Sequence, residues 1–259
     1  MTMTTRRLRS IDELGFSAVL SDLDGVVYRG DAPVPGAVDR FRRWQHAGIP
    51  YCFVTNNAEK APDAFADKIR GLGIACEAEQ VVTSGDVALD YIRTHYAAGS
   101  GVYVIGTPSF KHRVAEAGFE LVETGAAAVL VALDRTFNYA MMTTALRNLL
   151  GGAHLIGTNP DLIRPLADGF EPGAGAITQS IAAASGATPI FMGKPDPTII
   201  HAAMARLGVA PDYAIMIGDK LDTDILAGQR AGVTSIFMET GVPIDSRSPV
   251  IPEFILASL

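Results

Sequence analysis

The sequence predicts an α/β protein built around a mostly parallel β-sheet. Short apolar runs rich in β-branched residues alternate with amphipathic segments along the whole chain, which is typical of repeated strand–helix units. The chain has 259 residues, 48% of them apolar and 19% charged, so it can bury a large core. No internal repeat or low-complexity tract interrupts the pattern, and any second domain is therefore expected as an insertion.

Eight segments have the length and composition of buried strands, and four have helical spacing of apolar residues. The predicted strands are residues 17–22, 50–55, 102–106, 127–133, 154–158, 189–193, 213–219 and 234–240. The predicted helices are residues 36–48, 62–73, 139–150 and 196–208, three of which end on a glycine suited to a C-cap.

Charge and hydropathy argue against nucleic-acid and membrane partners. The net charge is −7, and without Arg6, Arg7 and Arg9 of the basic N-terminal arm the remainder carries −10. The longest apolar runs fall well short of a membrane span. The arm "MTMTTRRLRS" lacks the apolar centre of a signal peptide, and we predict a frayed terminus there.

The two cysteines do not have the spacing of a metal site. Cys52 lies in the strand-like segment "PYCFVT", which favours a buried, unreactive thiol over a reactive one. A reducing, cytoplasmic location is the expectation that fits this cysteine usage.

Polar side chains follow four of the predicted strands, at the ends where open α/β sheets bind ligands. They are Asp22 and Asp24, Thr55 with Asn56 and Asn57, Lys194, and Asp219 with Asp224. Each has an ordinary structural alternative as a turn, cap or solvated loop residue. If the first strand continued through Asp24, its period of two would place the Asp22 and Asp24 carboxyl groups on the same side.

Taken together, these residue types suit phosphoryl transfer assisted by a hard cation. Asp22 and Asp219, with a backbone carbonyl, provide the oxygen ligands that Mg²⁺ prefers. Asp22 is then a candidate nucleophile, and Asp24 a candidate acid that protonates the leaving oxygen and later activates water. The Thr55 hydroxyl is a candidate phosphoryl contact, and the Lys194 ammonium offsets negative charge.

The segments "DLDGVVYRG", "VTNN", "GKPDP" and "GDKLDTDILAGQRAG" occur in this order and resemble the four motifs of the haloacid dehalogenase superfamily of aspartyl phosphatases. More narrowly, the chain resembles the NagD and para-nitrophenyl phosphatase-like branch, from about residue 15 onwards. This resemblance implies a Rossmann-like core of residues 1–84 and 188–259 and an inserted α/β cap of residues 85–187.

The resemblance also implies a role for each motif residue. The implied roles are Asp22 as nucleophile and metal ligand, Asp24 as acid and base with its carbonyl on Mg²⁺, Thr55, Asn56 and Asn57 at the phosphoryl group, Lys194 as charge clamp, Asp219 as metal ligand, and Asp224 as a supporting acid near the metal that acts through water or indirect contacts. The stretch after the second motif departs from the branch pattern, since it reads "AEKAPD" and Lys60 stands where an arginine is usual.

The segment "GTNPDLIRPLADGFEPGAGAIT" is the predicted contact with the leaving group. By itself this segment favours a plain Pro- and Gly-rich connection, and only the resemblance to the family predicts a substrate contact. By resemblance, its candidates are Asn159, Asp161, Ile163, Arg164 and Pro165. A free Arg164 would fit a second anionic group on the substrate, whereas the ordinary alternative is a solvated arginine.

The resemblance implies a Mg²⁺-dependent hydrolase of small phosphomonoesters such as sugar phosphates, nucleotides, phosphoglycolate or pyridoxal phosphate. Many caps of the branch pair, so a homodimer through the cap is a further expectation. The alternatives are dehalogenation, a phosphomutase or other phosphotransferase, and a non-catalytic phosphate-binding homologue. Asp24 and the acid-rich fourth motif argue against dehalogenation, and the short turn after the first motif argues against a mutase.

Overall fold

The computed structural model describes residues 5–166, 169–240 and 248–259, without the side chains of residues 165 and 166. The described strands are β1 (Arg6–Arg7), β2 (Ala18–Ser21), β3 (Tyr28–Arg29), β4 (Ala32–Pro33), β5 (Tyr51–Thr55), β6 (Val81–Thr83), β7 (Gly101–Ile105), β8 (Glu120–Leu121), β9 (Ala128–Val131), β10 (His154–Gly157), β11 (Ile163–Leu166), β12 (Gly169–Pro172), β13 (Ile190–Phe191), β14 (Ala214–Gly218), β15 (Thr234–Met238) and β16 (Phe254–Leu256). The helices are α1 (Ala37–His46), α2 (Pro62–Gly71), α3 (Ser84–His95), α4 (Pro108–Glu116), α5 (Tyr139–Leu150), α6 (Ala174–Ser185), α7 (Thr198–Leu207) and α8 (Leu226–Arg230). All eight predicted strands and all four predicted helices are present.

The chain divides into two compact units. The first comprises Met1–Thr55, Pro62–Val82 and Lys194–Leu259, and the second comprises Asn56–Ala61 and Thr83–Gly193. The predicted boundaries after residues 84 and 187 differ from these limits by two and six residues. The segment Asn56–Ala61 belongs with the second unit, because its residues hydrogen-bond there. Whether the second unit acts as a cap stays a prediction.

The first unit contains a seven-stranded sheet in the order β1-β16-β15-β14-β2-β5-β6. The three central strands β14, β2 and β5 run parallel, with Ile217 opposite Ser21 and Ser21 opposite Phe53. Because their registers align, the carboxyl ends of these three strands meet at one edge of the sheet. Strand β2 is buried along its whole length, which explains its continuous apolar sequence.

Aromatic packing closes the core of the first unit over this sheet. Phe41 and Trp44 lie on the buried face of α1, and their rings meet edge to face with centroids 4.9 Å apart. Phe41 also contacts Tyr51 and Phe53 of β5, at centroid distances of 5.2 and 5.1 Å. These contacts fix α1 against the strand that ends at Thr55.

The second unit has a five-stranded sheet in the order β13-β10-β9-β7-β8, and its paired strands are parallel. It also contains a two-stranded antiparallel hairpin of β11 and β12, in which Arg164 lies opposite Glu171. The alternative of a plain connection over this segment is therefore wrong. Residues of opposite charge face each other across the hairpin, and such pairs stabilise antiparallel strands.

The predicted frayed terminus is wrong for the part of the N-terminal arm that the structure describes. Arg6 and Arg7 form β1, which pairs in parallel with β16. Leu8 is 4% exposed and Ile11 is fully buried, so two apolar side chains anchor the arm in the core. Glu239 forms an ion pair with Arg7. Because the arm is basic in composition, its sequence gives no clear signal that these apolar side chains are buried.

Both cysteines are free and buried, as predicted for Cys52. Burial raises the pKa of Cys76 to about 12, so this thiol is inert at neutral pH. Among the described residues, no helix combines the length and the apolar character needed to span a bilayer.

We predict that Ile11→Ala destabilises the first unit by about 2–5 kcal/mol, because it leaves a cavity in a packed core. The free energy of unfolding is measured in denaturant through the fluorescence of Trp44, the single tryptophan, which lies in the same core cluster. Ile251, 48% exposed, provides the matched control, and Ile251→Ala should cost less than about 1 kcal/mol. Equal effects of the two substitutions would contradict packing of the arm.

Candidate active site

The aligned ends of β2, β5 and β14 bring the first and fourth motifs together. Asp22 directly follows β2, and its backbone N–H donates to the Ile217 carbonyl of β14 at 2.9 Å. Asp219 directly follows β14, and Thr55 is the last residue of β5 and is 3% exposed. The register of the sheet therefore brings the ends of β2, β5 and β14 together, as the sequence predicts.

Lys194 joins three of these segments through its ammonium group. Its Nζ lies 2.7 Å from Asp22 Oδ1 and 2.7 Å from Asp224 Oδ1, and it donates to the Val54 carbonyl at 3.0 Å. Lys194 is only 2% exposed, so the alternative of a solvated loop lysine is excluded. Burial lowers the pKa of Lys194, but the charges of Asp22 and Asp224 outweigh burial, and the pKa is raised overall. The ammonium therefore stays charged.

Two of three clustered carboxylates contact this ammonium. Asp22, Asp219 and Asp224 each offer an oxygen, and these oxygens lie within 4.8 Å of one another. The three residues are 7%, 4% and 1% exposed. Burial raises the pKa of Asp22 well above its ordinary value, the charge of Asp224 raises it further, and Lys194 partly offsets both. The cluster therefore brings three buried acids together beside one lysine.

Two glycines make the close approach of these segments possible. Gly25 has a φ of +84°, and a Cβ there would lie 2.2 Å from Asp219 Oδ2. A Cβ at Gly218 would lie 2.1 Å from the Asp224 Cβ. Side chains at either position would displace a carboxylate, since real Cβ contacts are never this short. The sequence pattern does not single out Gly218, because a glycine is needed there only to make room for Asp224, six positions later.

Asp224 has a more direct place than the indirect role that the resemblance implies. Its Oδ2 accepts from the backbone N–H groups of Asp219 and Lys220, at 3.1 and 3.0 Å, and its Oδ1 contacts Lys194. Asp224 therefore fixes the turn that carries Asp219 and also shares the ammonium with Asp22. Its supporting role beside a metal ion stays a prediction.

Asp24 lies in a different environment from Asp22. Strand β2 ends at Ser21, and the turn at Gly25 leaves the Asp24 side chain exposed while Asp22 is buried. The expectation that a continued strand places both carboxyl groups on one side is wrong, because the strand stops before either acid. Asp24 is consequently solvent-accessible and can exchange protons with a bound molecule or water.

Three residues assigned to substrate binding come together within the second unit. Asn56 Nδ2 donates to Asp161 Oδ2 at 3.1 Å, and the Asn56 carbonyl accepts from Asn159 Nδ2 at 2.8 Å. Ser84 Oγ donates to the same carbonyl at 2.7 Å. Asn57 Oδ1 accepts from the Glu59 backbone N–H at 2.9 Å and shapes the following turn. The segment after the second motif is thus tied to the predicted substrate loop.

Arg164 takes part in a charge network that the sequence did not reveal. Its guanidinium contacts Glu59, and its Nε lies 3.2 Å from Glu171 Oε1. Arg135 contacts the same two glutamates, with 2.5 Å to Glu59 Oε1 and 2.7 Å to Glu171 Oε1. Neither the solvated nor the free arginine considered from the sequence describes this arrangement. No local signal could have found it, since its ion-paired residues lie 36 to 105 positions apart except for the hairpin pair.

The structure describes fewer contacts for the other residues considered near the substrate. Ile163 is 61% exposed on β11. Pro165 lies on the same strand, and its side chain is outside the described residues. Lys60 is exposed within the segment Asn56–Ala61.

Comparison with known proteins agrees with the motif assignment. Residues 19–120 match a family described as haloacid dehalogenase-like hydrolase, and residues 191–259 match a second model of HAD-hydrolase-like proteins. An acid sugar phosphatase of Staphylococcus aureus is 36% identical over 228 residues, which cover 88% of each chain.

Two solved structures share the fold over nearly the whole chain. A thermostable NPPase double mutant from Geobacillus stearothermophilus has a TM-score of 0.87 and 35% identity, covering 94% of this chain and 96% of that chain. NagD from Escherichia coli K-12 has a TM-score of 0.85 and 31% identity, covering 95% and 97%. The chain therefore belongs to the haloacid dehalogenase-like hydrolases, within their NagD-like branch, and is a phosphatase of that family.

Proposed function

We propose that this protein is a Mg²⁺-dependent hydrolase of small phosphomonoesters, acting through a covalent aspartyl-phosphate on Asp22. The observation that carries the proposal is the contact of Lys194 Nζ with both Asp22 and Asp224 inside a buried three-carboxylate cluster. A lysine held against a buried carboxylate fixes that carboxylate in one orientation and lowers its repulsion of an incoming phosphate. No such arrangement is needed for a purely structural aspartate.

The residues at the strand ends fit a magnesium ion. Three buried carboxylates facing one ammonium leave an excess of two negative charges if all are ionised, and a divalent cation balances that excess. All the donors are oxygens, as hard cations prefer. Asp22, Asp219 and the Asp24 carbonyl would hold the ion, with Asp224 beside them. When bound, Mg²⁺ would supply charge neutralisation for the phosphoryl oxygens and the carboxylates.

The chain's own residues divide the chemistry between them. An Asp22 oxygen forms a bond to phosphorus while the bond between phosphorus and the ester oxygen breaks, and that oxygen takes its proton from Asp24. Asp24 then accepts a proton from water, whose oxygen attacks the same phosphorus. Inorganic phosphate leaves, and the Asp22 carboxylate is restored. Lys194 stays charged throughout and orients Asp22.

Substrate contacts are assigned by the same proposal. Thr55, Asn56 and Asn57 bind the phosphoryl oxygens, and Asn159 and Asp161 contact the leaving group. The named relatives support substrates of the sugar phosphate and p-nitrophenyl phosphate type. The cytoplasmic location, and pairing of second units into a homodimer, stay predictions.

Asp22→Asn is expected to abolish phosphatase activity, because the amide is a poor nucleophile and loses a charged metal ligand. The measurement is release of phosphate from p-nitrophenyl phosphate with and without Mg²⁺, after removal of metal with EDTA. The wild type should lose activity with EDTA and regain it with Mg²⁺. Far-UV circular dichroism of the variant checks that the protein is folded. If Asp22→Asn is fully active, and mass spectrometry excludes deamidation of the asparagine, the aspartyl-phosphate mechanism is contradicted.

Asp24→Asn is expected to slow turnover by about 10²- to 10⁴-fold, the usual contribution of a general acid and base. The loss in kcat/KM should be small for p-nitrophenyl phosphate, whose leaving group needs no proton, and large for an alkyl ester such as glucose 6-phosphate. Phosphoenzyme should accumulate, because its hydrolysis requires Asp24 as a base. Acid-quenched protein analysed by mass spectrometry would show phosphate on Asp22. Equal losses in kcat/KM on both substrates would contradict the assigned role.

Arg164 remains a proposed substrate contact, but its two glutamate partners limit the change in KM that its substitution can cause. A substrate anion competes with Glu59 and Glu171 for the guanidinium. Arg164→Ala should therefore raise KM for a substrate with a second anionic group by only a few-fold, below the roughly tenfold loss of an unshared charged hydrogen bond. The KM for p-nitrophenyl phosphate should not change.

Arg135→Ala is the matched control for this comparison, because Arg135 contacts the same glutamates from outside the predicted substrate loop. If both substitutions change both KM values alike, the network is structural and Arg164 is not a substrate contact.

A further inference from the structure

The loop that carries Asp24 is held from two sides by residues outside the four motifs. Asp24 has an exposed side chain, so burial does not fix its position. The direction of its side chain depends on the backbone that leads from β2 into the small hairpin of β3 and β4, and residues 24–30 include the first strand of that hairpin. The contacts of that backbone therefore control the geometry of a proposed proton donor.

Thr240 holds the first part of this loop. Its Oγ1 donates to the Gly25 carbonyl at 2.6 Å, and the Gly25 N–H donates to the Tyr28 carbonyl at 2.8 Å. Both polar backbone groups of Gly25 are thus hydrogen-bonded. Gly25 adopts a left-handed conformation and directly follows Asp24, so fixing its peptide groups fixes the direction in which Asp24 leaves the turn.

Lys68 of α2 holds the second part of the loop. Its Nζ lies 3.7 Å from the centroid of the Tyr28 ring and donates to the Gly30 carbonyl at 2.7 Å. One ammonium therefore binds both an aromatic face and a backbone oxygen of the same hairpin. Tyr28 is 2% exposed, and its backbone forms a bridge with Asp24.

We propose that Lys68 and Thr240 are positioning residues that hold Asp24 in place as proton donor and acceptor. The inference rests on the proposed function, in which Asp24 is the general acid and base. Neither residue belongs to the four motifs, and each acts on Asp24 only through the loop backbone. Loss of either contact lets the loop shift, and small misplacements of a proton donor are costly in rate.

The test compares two substrates that differ in their need for an acid. In Lys68→Met and Thr240→Val, kcat/KM should fall about tenfold for glucose 6-phosphate and less than about twofold for p-nitrophenyl phosphate. For p-nitrophenyl phosphate, kcat and KM should fall together, because hydrolysis of the phosphoenzyme still requires Asp24. Lys68→Arg and Thr240→Ser keep the charge and the hydroxyl, and they should restore most of the loss.

Two control variants separate this effect from removal of a charge or a hydroxyl elsewhere. Lys111→Met removes a lysine from α4, and Thr94→Val removes a hydroxyl that bonds only to the preceding turn of α3. Neither should alter the ratio of the two kcat/KM values. The thermal unfolding midpoint of each variant reports whether the protein is folded at the assay temperature.

Each outcome decides a different point. Equal losses in kcat/KM on both substrates, or no loss on either, would overturn the positioning role of the substituted residue. Asp24→Asn measured alongside provides the reference. If Asp24→Asn changes the substrate ratio but Lys68→Met and Thr240→Val do not, the positioning role fails while the proposed function stands. If Asp24→Asn itself leaves the ratio unchanged, the proposed role of Asp24 fails.

Discussion

The ammonium of Lys194, buried between Asp22 and Asp224, is the interaction on which the rest of the site depends. Removing one partner of a buried ion pair typically costs about 3–5 kcal/mol, because the remaining charge is left without compensation. Here Asp22 and Asp224 contact the ammonium, and oxygens of Asp22, Asp219 and Asp224 lie within 4.8 Å of one another. Such a buried group of acids suits a ligand that brings positive charge into it, as proposed for Mg²⁺.

The sheet makes this costly arrangement feasible by presenting the charges at strand ends. The strands β14, β2 and β5 are buried along their lengths. Asp219 and Asp22 directly follow β14 and β2, and Thr55 is the last residue of β5. The apolar strands stabilise the unit, while the acids sit where backbone groups of the following turns can bind them. Asp224 illustrates this, since two backbone N–H groups and one ammonium share its carboxylate. The glycines at 25 and 218 are required because these turns approach within van der Waals contact.

Much of the fold and the centre of the site could be predicted because their signals are local in the sequence. Strand length, apolar pattern and a polar residue at each strand end place Asp22, Thr55 and Asp219 at one sheet edge without any knowledge of tertiary contacts. The strand before Lys194, β13, belongs to the five-stranded sheet of the second unit, so the same rule does not place this lysine. What could not be predicted depends on partners distant in the chain. The N-terminal arm is polar in composition, and its pairing with β16 involves residues near the other terminus. The ion pairs of Arg164 with Glu59 and Glu171 likewise require that the hairpin and the segment Asn56–Ala61 be neighbours.

Asp22 and Asp24 have different surroundings, which suits the two chemical roles proposed for them. A regular strand would have given the two carboxyl groups more similar surroundings. The strand instead ends at Ser21, so Asp22 stays in the buried edge beside Lys194 while the turn at Gly25 carries Asp24 outward. A nucleophile benefits from a fixed, water-poor setting that prevents other partners from competing for its oxygens. A proton carrier needs access to water and to the leaving group, which burial would deny. These two requirements are opposite, and in the proposed mechanism the end of the strand between Ser21 and Gly25 allows Asp22 and Asp24 to meet both of them two residues apart.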